Sequence, residues 1–129
     1  MPQPRPTEGE LAILRVLWAS KQPQTVREVH GVLSRSKDTA YTTVLKMLTI
    51  MADKGLVRRD DSERSHTYAA VDAEPVVQGS LLQDLMRRAF SGSALTLVQR
   101  AIDDDIASSE DLDEIARLIA KAKAKRKPG

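Results

Sequence analysis

Between Ala40 and Gly55 the chain reads AYTTVLKMLTIMADKG, and this stretch holds the side chains best suited to chemistry. Thr42, Lys46, Thr49 and Asp53 recur at helical spacing, with Thr43 on their flank. Hydroxyls and an ammonium on one face break no bonds. They hydrogen-bond phosphate oxygens and base edges, and a threonine methyl can touch the methyl of thymine. Lys46, one turn beyond Thr42, reaches either a phosphate or a guanine. Thr39, Ala40 and Tyr41 open the same segment, where the amides of a helix N-terminus favour phosphate. A second polar cluster, Arg58, Arg59, Arg64, Ser65 and His66, flanks a short charged turn.

Simpler readings stand beside these. On periodicity alone the threonines serve equally well as solvated surface. Tyr41 falls on the apolar side of its helix, so core packing and phosphate contact are both open to it. Asp60, Asp61 and Glu63 make the turn acidic, which counts against strong attraction to a phosphate backbone there. His30 and His66 read as surface residues, because no cysteine and no second histidine stands at ligand spacing. Asp103-Asp104-Asp105 reads as a solvated helix end, since consecutive carboxylates cannot all face one ion. The lysines of Lys121–Lys127 read as a solubilising helix end. No nucleophile elbow, phosphate loop, zinc signature or carboxylate pair stands out, so neither an enzyme nor a bound cofactor or metal is expected.

The elements that would carry these side chains follow from local signals. Thr7-Glu8-Gly9-Glu10 is a capping box, and Leu11, Leu14, Leu17 and Trp18 then give a first helix one apolar face, ending near Ser20 ahead of Pro23. Thr25-Val26-Arg27-Glu28 is a second box, opening a shorter helix with Val26, Val29, Val32 and Leu33 turned inward. The third helix starts near Thr39 or Ala40 and stops at Gly55, a natural left-handed cap. Its expected buried face is Tyr41, Val44, Leu45, Leu48, Met51 and Ala52. Leu56–Arg59 and Ser65–Val71 then form two strands about the turn Asp60–Arg64. Three helices and a two-stranded hairpin make the winged variant of helix-turn-helix, whose third helix enters the major groove.

Beyond a boundary at Asp72–Pro75, three further helices are expected, over Val76–Ser91, Ala94–Ile106 and Ser109–Lys125, the last with an N-cap serine. Roughly 50 residues close a core poorly alone. Their apolar stripes therefore want a second copy, through Val77, Leu81, Leu82, Leu85, Leu95, Val98, Leu112, Ile115 and Ile119. A homodimer would set two reading heads on a pseudo-palindromic operator. The expected organisation is a disordered lead (1–6), a winged-helix DNA-binding domain (7–71), a helical dimerisation domain (72–125) and a frayed tail (126–129).

The whole-chain figures agree. Hydrophobic residues make up 41% of the 129 and charged residues 29%, which argues for a folded protein. Aromatics are only 3%, which suits a helical core of Leu, Val, Ile, Ala and Met. The net charge of +2 says little by itself. Residues 1–71, however, hold 11 Lys/Arg against 8 Asp/Glu, while residues 72–129 hold 9 against 10. With no cysteine, no signal peptide and no apolar run of about 20 residues, a cytoplasmic protein without membrane insertion is expected.

Read together, Glu10–Trp18 (ELAILRVLW), Thr25–Val29 (TVREV), Ala40–Leu45 (AYTTVL), Lys54–Val57 (KGLV) and Arg64–Tyr68 (RSHTY) resemble the BlaI/MecI family of winged-helix repressors. The likeness runs from Thr7 to Lys125. It implies a homodimer that represses promoters by occupying operator DNA, commonly of resistance genes. It also implies release by proteolysis, through a membrane-bound sensor protease or a protease downstream of it. The family's cleaved Asn-Phe pair is replaced here by approximately Arg100-Ala101, so the releasing signal is not carried over. The competing class is a winged-helix protein-interaction module, which exposed apolar residues on the third helix would favour.

Overall fold

The computed structural model describes residues 5–126. Residues 1–4 and 127–129, most of the expected lead and tail, lie outside the described residues. The elements run α1 (Glu8–Ala19), β1 (Gln24–Thr25), α2 (Val26–Leu33), α3 (Tyr41–Lys54), β2 (Val57–Asp60), β3 (Thr67–Ala70), α4 (Glu74–Ala89), α5 (Ala94–Asp103) and α6 (Ser109–Arg126). Two compact units result, residues 1–81 and 82–129, and the division falls inside α4.

Local chemistry sets the helix ends in the first unit. Thr7 accepts from the Glu10 amide at 3.2 Å while the Glu10 carboxylate accepts from the Thr7 amide at 2.9 Å. Thr25 and Glu28 repeat the arrangement at 3.1 and 2.9 Å, so both expected capping boxes form. At the far end of α3, Gly55 adopts φ 82°, a conformation costly for any residue with a Cβ. Gly55 then donates to the Ala52 carbonyl and Leu56 to the Met51 carbonyl, a Schellman closure that turns Leu56 back into the core.

That core is Ile13, Leu14 and Leu17 from α1, Val26 and Val29 from α2, Val44, Leu48 and Met51 from α3, and Leu56, Val57 and Tyr68 from the hairpin. The Trp18 indole donates to the Asp72 carbonyl at 3.0 Å, tying α1 to the segment that leaves β3. The sheet has three antiparallel strands in the order β1-β3-β2. The sequence reading has only two of them. Gln24–Thr25 pairs with Thr67–Tyr68 just before α2 and is too short to show an alternating pattern.

Several burial expectations are corrected. Val32 is exposed rather than inward, and so are Tyr41 and Leu45 of α3. A helix's apolar period gives the direction of its core face, whereas the packed neighbours decide how wide that face is. In the other direction, Glu10 is only 5% exposed, the one buried charged residue among the described residues. The Lys54 ammonium meets both Glu10 carboxylate oxygens at 2.8 and 3.0 Å, bridging the start of α1 to the end of α3. Burial pushes the Glu10 carboxyl up, but hydrogen bonds from Lys54 and Thr7 outweigh it and hold the group below its ordinary range.

In the second unit Ser93 caps α5, accepting from the Thr96 amide at 3.1 Å. Ser108, not Ser109, caps α6, accepting from the Asp111 amide at 3.0 Å. The fourth helix begins two residues earlier than expected, at Glu74, and the fifth ends three earlier, at Asp103. No residue of α5 or α6 is buried, and Leu95 remains 77% exposed. Helices of 10 and 18 residues leave too little inside to close a core of their own.

Candidate nucleic-acid interface

The exposed face of α3 is set by what precedes it. His30, half-buried near the end of α2, places its Nε2 2.7 Å from the Thr39 carbonyl. A carbonyl only accepts, so Nε2 carries the proton and donates. The same ring meets Tyr41 edge-to-face, with centroids 5.7 Å apart and planes at 73°. His30 therefore anchors the turn that delivers α3, a role that the surface reading of this residue did not anticipate. Thr39 is half-buried in that turn and donates its own hydroxyl to the Lys37 carbonyl at 3.1 Å.

Ala40 is the N-cap of α3, and no side chain caps the helix. Helices α1, α2 and α5 all have a capping side chain, so the first-turn amides of α3 keep an open end toward an anion. Beyond them Val44, Leu48 and Met51 turn into the core, while Tyr41, Thr42, Thr43, Leu45, Lys46, Thr49 and Ile50 face outward. The Thr49 hydroxyl donates to the Leu45 carbonyl at 2.9 Å, which leaves its oxygen only as an acceptor toward any ligand.

The hairpin sorts its charges. Val57 pairs with Ala70 and Arg59 with Tyr68, so Arg58 falls on the opposite face, across from Ala69. Arg59 is engaged by Asp61 at 2.8 Å, and the same carboxylate lies 3.5 Å from His66 Nδ1. Asp60 accepts from the Ser62 amide at 2.9 Å, which holds its carboxyl below the ordinary range. Two of the acidic groups at the tip are thus occupied within the turn. Among the described residues Lys46, Arg58 and Arg64 form no ion pair.

A groove joins α3 to the hairpin. It is lined by Thr25, Val26, Arg27, Tyr41, Leu45, Arg64, Ser65, His66 and Tyr68. Of the expected contact residues, the fold brings Tyr41, Arg64, Ser65 and His66 together here, with Thr42, Thr43 and Lys46 on the same helix. Arg58 and Arg59 do not line it. Two residues of the site escaped the sequence reading. Arg27, exposed and without an ion pair among the described residues, appeared only as the filler of a capping box. Leu45 appeared as core.

Among the described residues no cluster of three or more His, Asp or Glu could hold a metal ion, and no helix is long and apolar enough to cross a membrane. Of the apolar residues expected at a dimer interface, Val77 is buried within the chain and Leu81 and Ile115 are half-buried. Leu82, Leu85, Leu95, Val98, Leu112 and Ile119 are exposed.

Comparison with known proteins bears on the chain as a whole. The transcriptional regulator BlaI of Mycobacterium tuberculosis (strain CDC 1551 / Oshkosh) is 34% identical over 116 residues, covering 89% of this chain and 83% of that protein. The penicillinase repressor of Bacillus licheniformis is 22% identical over 125 residues, 96% of each chain. A solved HOP2 structure concerned with DNA recognition overlaps 45% of this chain and 91% of its own at 26% identity. Its TM-score of 0.41 is too low to inform fold or function. The sequence pattern of the penicillinase repressor family matches residues 6–121, so the chain belongs to that family.

Proposed function

We propose that this chain is a DNA-binding transcriptional repressor that acts as a homodimer on a pseudo-palindromic operator, inserting α3 in the major groove and laying the hairpin along the backbone. The observation that carries this is the uncovered face of α3. Lys46 and its neighbouring threonines stand free of the core, with Arg27 and Arg64, which form no ion pair among the described residues, on the groove beside them. Cations that form no ion pair among the described residues are available to replace the counterions of a polyanion. The family is one of transcriptional repressors and not of enzymes.

The partners are duplex DNA and a second copy, the latter through the exposed apolar stripes of α4, α5 and α6. A protease partner would have to cut near Arg100-Ala101, inside α5, where Arg100 pairs with Asp103 and Asp104 at 3.5 and 3.3 Å. The working organisation is a DNA-binding part over 7–71 and a dimerisation part over 72–125. A protein-interaction module is the second reading, favoured by the exposure of Tyr41, Leu45 and Ile50 on α3.

The test is binding of purified protein to its own upstream DNA and to scrambled DNA across a salt series. Sequence-selective binding that weakens steeply with salt supports the repressor reading. Equal, weak binding to both, with recovery of a protein partner in pull-downs, supports the second.

A further inference from the structure

Two exposed aliphatic residues, Leu45 and Ile50, interrupt the polar outward strip of α3. Thr42, Leu45, Lys46 and Thr49 stand at i, i+3, i+4 and i+7, so they form a single face. Leu45 lies at the edge of that face next to the groove and is 42% exposed. A solitary exposed leucine is ordinary on a protein surface. This one is distinguished by its setting: it lines the groove with Val26 and Tyr41 on its apolar side and with Arg27, Arg64 and His66 around them. Arg27, Lys46 and Arg64 have no ion pair among the described residues, so charge favours a polyanion over an apolar peptide as the occupant. The apolar feature that a duplex presents in its major groove is the 5-methyl group of thymine.

We propose that Leu45 is a specificity-determining contact that recognises the 5-methyl group of one thymine in each half-site of the bound DNA. The inference rests on the repressor reading and adds a base preference to it. Lys46 and the amides of the first turn hold the phosphates and set the depth of α3, while Leu45 and the neighbouring Thr42 methyl meet the base edge. Removing one methyl from such a contact costs about threefold to fivefold in affinity.

The experiment uses the full chain to select duplexes from a randomised pool. Each thymine of a selected duplex is then replaced singly by deoxyuridine, which removes the methyl and nothing else. One thymine per half-site is expected to respond, with binding weakened about threefold to fivefold for the wild type. Leu45→Ala is expected to lose a similar factor on the unmodified duplex and to be indifferent to deoxyuridine at that position, with its salt dependence unchanged. The half-exposed side chain makes little loss of thermal stability expected, so a misfolded variant would be recognised by its melting curve. Deoxyuridine effects equal in wild type and Leu45→Ala, or no responsive thymine, overturn the inference while leaving the repressor reading in place. A pool that yields no preferred duplex overturns both.

Discussion

Ala40→Asp should raise the stability of the protein and lower its affinity for DNA, a divergence that follows from an alanine at the N-cap of α3. Ala40 has φ −71° and ψ 143°, ordinary N-cap geometry, and it is exposed, so an aspartate fits without strain or overlap. Its carboxylate would accept from the amides of Thr42 or Thr43, a gain of about 1 kcal/mol over alanine. Interaction with the helix dipole adds about 0.3–1 kcal/mol at low salt. For a domain of this size each kcal/mol is worth roughly 4–8 °C, so the melting temperature should rise by roughly 5–16 °C. On DNA the same carboxylate occupies the donors that would meet a phosphate and repels it. At about 5 Å and an effective dielectric near 20, the repulsion approaches 3 kcal/mol before salt screening. A loss of about 2 kcal/mol, roughly thirtyfold in Kd, is expected at low salt. The slope of log K against log salt should also fall by about one phosphate's share, ~0.9. Ala40→Ser separates the effects: it caps without charge, so stability should rise by about 1 kcal/mol and affinity stay within a few-fold. Circular dichroism melts and fluorescence anisotropy on a labelled duplex at several salt concentrations measure both quantities. If Ala40→Asp melts higher yet binds like wild type, the start of α3 does not face the phosphate backbone.

Other perturbations test other parts of the reasoning. Lys54→Met leaves the buried Glu10 carboxylate without its cation. With the Lys54 side chain 33% exposed, the cost should be about 1–3 kcal/mol, below the figure for a fully buried pair, read by urea denaturation. Because the folded-state Glu10 group is held below its ordinary value of 4.5, its contribution is present above that pH and fades as pH falls through the folded value. The gap in stability between wild type and Glu10→Gln should therefore be widest near neutrality and narrow below about pH 4.5; a gap independent of pH contradicts the assignment. Lys46→Ala should weaken operator binding and, if its only partner is a phosphate, lower the salt slope by about one; unchanged binding would misplace the reading face. Leu95→Glu should shift the chain toward monomer in analytical ultracentrifugation while leaving the melting of the first unit intact, because that side chain is 77% exposed in the single chain. A persistent dimer would remove α5 from the proposed interface.

What could be read without a structure was what depends on neighbours in the chain. The capping boxes at Thr7 and Thr25 and the left-handed stop at Gly55 are decided within four residues, and each is where the sequence placed it. The order of three helices and a hairpin followed from such signals, and with it the part of the chain from which a DNA-reading face would come. Distant pairings were not legible. Glu10 and Lys54 are 44 residues apart, and nothing local to either names the other. Gln24–Thr25 becomes a strand only because β3 lies alongside. Leu45 and Tyr41 keep the period of a core residue, yet α2 and the sheet do not extend far enough around α3 to cover them. Tertiary packing alone also brought Arg27 to the groove beside Arg64. The division has one physical cause: backbone geometry is settled by nearby residues, whereas burial and charge pairing are settled by whatever the fold brings near.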